Sequence, residues 1–467
     1  MQWQLRRIPA ELACFGLVSL VYLVHLFIAG DDRFYFDSFR YWEVSKLFGK
    51  NGGFSLLAFD YPNRGYSLPL VYHGLDGVRG ALTMGDATAV KVFGALLAAT
   101  LGVVVAPRLA RALFPGAAIS WTRVLLLNAL LFVYWRDHFG FPLSDFPALL
   151  LASVGLLGLL RATTAGYVGA GLGFMLAANM RPAYLPAAAA AIVVAGVLPR
   201  QGRKAPRRLS AVGLVLAGVV GASLPQMLIN HRYHASWSPV ASGSKEISML
   251  QLTQGMLNQK YETYVGPPDG YPRPEVYFLD PATAHVLAAE GLTEITSYRQ
   301  YAGIASRHPA EMAASWTRHV FNGLDVRYPT PYIRDLGDSS IVLSLLLYTL
   351  LFLALLHLLI PDARRALRGI HWVGVAVLAS PCLSAIPGAV EPRFFLPLQL
   401  IAYMLVCFGP STRATVLGGS PARRVALAAA YAAFVLGCLT LSSATLAQLE
   451  HSGRTLGAAI LCCGIRG

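Results

Sequence analysis

The sequence predicts an all-α polytopic membrane protein, on three observations. Hydrophobic residues make up 55% of the 467-residue chain and charged residues only 13%, about half the charged share of a soluble domain. Mean hydropathy is +0.53. Apolar stretches also recur along the chain: a bilayer core of roughly 30 Å takes roughly 20 helical residues, and about eleven segments approach that length. These figures exclude a soluble enzyme of ordinary surface, a disordered chain and a disulfide scaffold. The net charge of +14 would suggest nucleic acid in a soluble chain, but a positive-inside bias accounts for it here, and no nucleic-acid partner is expected.

The expected spans are 10–29, 86–106, 119–135, 145–161, 165–180, 183–198, 209–229, 339–360, 371–388, 393–410 and 425–447. Arg6 and Arg7 precede the first. No small-residue cleavage site follows it, only Asp31-Asp32 and aromatics, so it is expected to be a retained span rather than a signal peptide. The basic residues then orient the chain. Alternate connections hold Arg6 and Arg7; Arg108, Arg111 and Arg123; Arg161; Arg200, Arg203, Lys204, Arg207 and Arg208; Arg364, Arg365 and Arg368; and Arg413, Arg423 and Arg424. The three short connections on the other side hold one each: Arg136, Arg181 and Arg393. This asymmetry assigns the first set to the cytoplasm. The expected organisation is a membrane module at 1–229, an extracytoplasmic insertion at 230–338, and C-terminal membrane helices with a tail at 339–467.

Cys14, Cys382, Cys407 and Cys438 fall inside apolar spans, and Cys462-Cys463 are adjacent near the end. No spacing resembles a zinc site. Asp31-Asp32 is the one tightly spaced acidic pair that could hold a divalent ion, and adjacent residues rarely ligate one ion. No cofactor is predicted, and dependence on a divalent metal is left open.

Two long segments face outward. In 30–85, the residues Phe36, Phe39, Tyr41, Trp42, Val44, Leu47 and Phe48 suggest a short amphipathic helix ended by Gly49 and Gly52-Gly53. A second piece, YPNRGYSLPLVYHGLDGV, has the same character. Two such helices would lie in the interface plane. In 230–338, Asp280-Pro281 and His308-Pro309 read as helix starts. That insertion fits either a solvated arrangement of helices and loops or a lid or acceptor-binding part.

Ionisable residues at span ends converge on the outward side: Asp31, Asp32 and Asp37; Arg136, Asp137, His138 and Asp145; Arg181; Glu391 and Arg393. Such groups are costly near a membrane and point to a functional site. Structural readings stand beside the functional one. Asp31 and Asp32 also fit a span end, Asp37 a solvated helix face, Asp145 a helix cap, Arg181-Pro182 a break between spans, Glu391 and Arg393 a local ion pair, and His138 a structural imidazole. Chemically, arginine binds phosphate bidentately and a carboxylate can take a hydroxyl proton. Glycosyl transfer from a lipid-phosphate donor needs both.

The string Asp37-Ser38-Phe39-Arg40-Tyr41-Trp42 after the first span, then YPNRGYSLPLVY with Asn63 and Arg64, then the exit RLARALFPG, resembles the GT-C type of integral-membrane glycosyltransferase, related to aminoarabinose and protein-mannosyl transferases. Asp145 in PLSDFPALLL, the break ANMRPAYLP and the late EPRFFLPL are similar in order and side. Ser38 stands where that family commonly carries a second acid. The resemblance implies two interfacial helices clasped to a helical bundle, and Asp37 as base with Asp31 or Asp32 as fallback. It implies a polyprenyl-phosphate-linked sugar as donor and a glycan, lipid or protein as acceptor. Arg393, Arg181, Arg136 and Arg40 are the expected phosphate ligands; Asp145, Glu391, His138, Tyr41, Asn63 and Arg64 the expected substrate contacts. Membrane lipids are the remaining partners, and a bacterial inner or plasma membrane with a periplasmic or extracellular active face is the expected location. The rivals are a transporter or flippase of a lipid-linked or anionic substrate, and a non-catalytic subunit of envelope assembly.

Overall fold

The computed structural model describes residues 7–197, 208–265, 275–359, 367, 369–409 and 420–450. Arg6, Arg200, Arg203, Lys204, Arg207, Arg364, Arg365, Arg368, Arg413, Cys462 and Cys463 lie outside the described residues.

Helices cover all eleven apolar segments: α1 (Arg7–Ile28), then, beyond the interfacial pair α2 (Phe36–Ser45) and α3 (Ser67–Ala81), α4 (Asp86–Leu113), α5 (Trp121–Trp135), α6 (Asp145–Arg161), α7 (Thr164–Met180), α8 (Leu185–Val197) and α9 (Arg208–His234). After the inserted segment come α14 (Ile341–Leu359), α15 (Gly369–Ala385), α16 (Leu396–Phe408) and α17 (Pro421–Leu446). By length and composition, the helices of α1, α4, α9, α14 and α17 are long and apolar enough to cross a membrane. The other six are shorter, 13 to 17 residues. Cys14, Cys382, Cys407 and Cys438 are buried free thiols, as expected of small apolar groups.

The fold is mostly helical, consistent with the all-α expectation, and the inserted segment adds one short hairpin to it. The segment contains α10 (Ser244–Leu257), an antiparallel hairpin of β1 (Asn258–Thr263) and β2 (Glu275–Leu279), and α11 (Pro281–Ala289), α12 (Tyr298–Arg307) and α13 (Pro309–Leu324). Both expected helix starts are present. Asp280 caps α11 by accepting from the Thr283 N–H, and Pro309 opens α13. Met249, Met256, Leu287, Ile304 and Met312 form a small core of their own.

Helix α2 forms where the aromatics predicted it, but its buried face is narrower. Tyr41, Trp42 and Val44 are buried while Phe36 and Phe39 are exposed. Its first turn would leave N–H groups unpaired. Tyr332, far along the chain, accepts from the Ser38 N–H at 3.2 Å and donates to the Tyr35 carbonyl at 3.0 Å. The indole of Trp42 donates to Asp86 at 2.8 Å and ties α2 to α4.

Close packing sets the register of the helices that carry the site. Gly171 of α7 and Gly218 of α9 face each other so closely that a Cβ on either would strike the other helix's backbone. This is the small-residue interface common between membrane helices. Antiparallel α6 and α7 are among the most extensively packed pairs. Their packing brings the start of α6, Asp145, to the end of α7, Arg181.

Candidate functional site

Proline fixes two of the site's backbones. Arg181 precedes Pro182 and Glu391 precedes Pro392, and a residue before proline is driven out of the α region. Both are extended, with φ −147°, ψ 109° and φ −110°, ψ 148°. Arg181 therefore leaves α7 where its side chain turns toward α6. Glu391 enters the short turn Pro392–Phe395 with Arg393 beside it. Arg64 is placed by Gly65, whose backbone lies against the Asn179 carbonyl near the end of α7, too close for any Cβ.

Six of the residues expected at the site meet in one cluster of ion contacts. The Arg393 guanidinium pairs with Glu391 and lies 3.7 Å from both Asp37 and Asp145. Arg181 pairs with Asp145, and Arg64 with Asp37. Three guanidiniums thus face three carboxylates from five separate stretches of the chain. The Arg181 guanidinium stands 4.4 Å over the ring of Phe394, and that of Arg64 5.0 Å over Tyr41. Thr263 of the hairpin donates to Glu391 at 2.8 Å.

Exposure separates the carboxylates. The Asp145 side chain is 1% exposed and that of Arg393 10%, while Asp37 keeps 40%. Burial alone would raise the Asp37 carboxyl, but the charges of Arg64, Arg393 and Arg181 override it and hold it below the usual carboxylate range. Burial alone would lower Arg393, but Glu391 and Asp37 keep it firmly charged. Burial, and then the like charge of Arg393, push Arg181 below the usual arginine value.

His138 lines a cavity with Glu262, Glu391 and Arg393, floored by Trp135 and Gln399. Burial, and then Arg393, pull its imidazole down to about 3, so it is neutral near pH 7. The unfolded-state value is about 6.5. As pH falls below that, the unfolded chain takes up a proton that folded His138 refuses, so stability is lost through this window. His138→Gln should remove that part of the acid sensitivity, worth about 2–3 kcal/mol by about pH 4.5. Thermal unfolding of wild type and variant across this range checks it; parallel curves would refute it.

Of the remaining expected residues, Tyr41 lies under a guanidinium of the cluster and the others sit elsewhere. Asp31 is bound by Tyr35 and Arg334, and Asp32 by the buried Lys91 at 2.6 Å. Arg136 donates to the Val133 carbonyl at 2.8 Å and lies 3.9 Å from Asp137, which His25 also holds at 2.6 Å. Arg40 lies 6.0 Å from the ring centroid of Tyr61. Asn63 packs against Gly243, beside the bond from the Gly243 N–H to the Pro62 carbonyl. Tyr41 is buried beneath Arg64. The sequence reading missed Tyr261, Thr263, Tyr332 and Lys91. No local spacing relates these residues to Asp37; Lys91 alone carried a signal, as a charge within an apolar stretch.

Set against family models, curated proteins and solved structures, the chain matches none. Among the described residues no group of three or more His, Cys, Asp or Glu side chains could hold a metal ion.

Proposed function

We propose that this chain is an inverting membrane glycosyltransferase that moves a sugar from a polyprenyl-phosphate donor to an envelope acceptor on the extracytoplasmic face. The observation that carries the reading is the sharing of Arg393 among Asp37, Asp145 and Glu391, beside the Arg181–Asp145 pair. A guanidinium has five donors in a planar fork, so Arg393 can turn toward a phosphate oxygen. Doing so withdraws one of the two cations that contact Asp37. Donor binding then raises the basicity of the carboxylate that must act.

In the reaction, the acceptor oxygen bonds to the anomeric carbon as its proton passes to Asp37. The bond from that carbon to the phosphate oxygen breaks, and its electron pair leaves with the phosphate. Arg393 and Arg181 stabilise the anion as charge builds on it, usually the largest catalytic term. A phosphate is a good leaving group, so no general acid is needed. Asp31 and Asp32 are less suited to the base role, since each is tied to a cation away from the cluster. The reading keeps eleven spans in the membrane, with the short helices packed against the longer ones, and puts the cluster on the outward side. A bacterial plasma membrane is the proposed setting.

Purified wild type and Asp37→Asn, incubated with several radiolabelled polyprenyl-phosphate sugars and an envelope extract, test the proposal. Transfer or slow hydrolysis of one donor, lost in the variant, supports it. Donors that bind but stay intact would replace it with a transporter or an assembly subunit. A pH profile adds a signature. Because Asp37 is held below the usual range, the acid limb of kcat/KM should fall below the ordinary aspartate value of about 3.9. Arg64→Gln removes the first of the charges that lower it, and should move that limb upward. An unmoved limb would take Asp37 out of the profile.

A further inference from the structure

The inserted segment is joined to the loop that carries Glu391 and Arg393 by bonds along its length. The Gln251 carbonyl accepts from the Ala389 N–H at 3.1 Å, and the Tyr261 N–H donates to the Val390 carbonyl at 3.0 Å. His319 reaches the Ile386 carbonyl with Nδ1 at 2.6 Å and the Asn258 carbonyl with Nε2 at 3.2 Å. With Thr263 on Glu391, strand β1 runs along one edge of the charged cluster.

Side chains alternate along a strand. Lys260 and Glu262 are buried and pair with each other at 2.9 Å. Tyr261, between them, faces the other way. Its ring meets Phe394 edge-on at 6.2 Å, and Phe394 is the ring beneath the Arg181 guanidinium. The phenol lies within electrostatic reach of Glu391, Arg393, Asp37 and Arg181 together. Its hydroxyl makes no hydrogen bond among the described residues, and the residue is half-buried. The neighbouring Thr263 bonds Glu391 and Tyr332 bonds the α2 backbone; Tyr261 bonds neither.

We infer that Tyr261 is a ligand-contacting residue, its O–H donating to an oxygen of the phosphate held between Arg181 and Arg393, so that the inserted segment forms one wall of the site. The inference rests on the proposed phosphate chemistry and assigns the insertion a part in it. A phenol suits the position: it donates without adding a third positive charge beside two guanidiniums. Burial, and then Glu391, push it well above its usual pKa, so it keeps its proton as a donor.

Equilibrium binding to the full chain in nanodiscs tests this, with geranyl phosphate as probe and geraniol and inorganic phosphate as the other arms. Wild type should bind geranyl phosphate and ignore geraniol. Tyr261→Phe should weaken phosphate binding about tenfold, the scale of a hydrogen bond to a charged group. Tyr277→Phe, at the facing register position of the hairpin, should keep wild-type affinity. If inorganic phosphate binds equally well, the anion source is free phosphate, and the same tenfold loss is expected on it. Wild-type affinity in Tyr261→Phe, with binding lost in Arg393→Lys, overturns the Tyr261 assignment and leaves the proposed function standing. An equal loss in Tyr277→Phe marks a hairpin defect and also overturns it. No preference for either phosphate over geraniol in wild type overturns both readings.

Discussion

Asp37→Asn is expected to lower sugar transfer by about 10²–10⁴-fold, the range that a positioned general base contributes, while leaving the protein folded. The amide has the size of the carboxylate, and the position keeps 40% of its side-chain exposure, so little packing changes. The electrostatic effect is directional. Asp37 competes with any incoming anion for Arg64 and Arg393. Removing its charge should leave geranyl phosphate binding unchanged or tighter while turnover collapses. Single-turnover kinetics separate the two, and a KM that worsens in step with kcat would mean that Asp37 binds substrate rather than taking its proton. Unchanged turnover would move the base to Asp31 or Asp32.

Arg393→Met is expected to be the most damaging single change to stability. It strands the buried Glu391 and takes the second of two cations from the buried Asp145, and breaking a buried pair by removing one partner costs about 3–5 kcal/mol. Transfer should fall to background. Arg393→Lys restores a charge without the planar fork. It should recover most of the thermal stability but little of the phosphate affinity, because one ammonium cannot serve three carboxylates and a ligand together. A double-mutant cycle with Glu391→Gln apportions the effect. Adding that change to Arg393→Met should return stability and leave binding absent. Wild-type unfolding of Arg393→Met would show that the pair is not buried in the folded protein.

The charged cluster was legible because charge is scarce in this chain. Each of Asp37, Asp145, Arg181, Glu391 and Arg393 stands at the end of an apolar stretch, where its cost demands a reason. The dipeptides Arg181-Pro182 and Glu391-Pro392 announce extended backbone. Legibility ended where partners are remote. Asp31 looked like a free acid, yet its cation is Arg334, 303 residues away. The hairpin was missed because β1 reads NQKYET, without the alternation of apolar and polar residues that marks a half-buried strand. Its burial comes instead from a lysine–glutamate pair and from packing against α13 and the 386–391 loop. The six helices of 13 to 17 residues are equally hard to count from sequence, since proline and glycine blur their ends.

The cluster also has an order in time. Asp37 is synthesised first and meets Arg64, 27 residues later. Asp145 is next and meets Arg181 across one helical hairpin. Glu391 arrives with Arg393 only two residues behind it. The six charges are therefore three pairs, each neutral by itself and each complete soon after its acid leaves the ribosome. At about 5–20 residues per second, roughly 10–40 s pass between Arg181 and Arg393. Throughout that wait the nascent bundle need not expose a lone charge to lipid. The last pair then links the earlier two, so the assembled site comes into being only when most of the chain has been inserted.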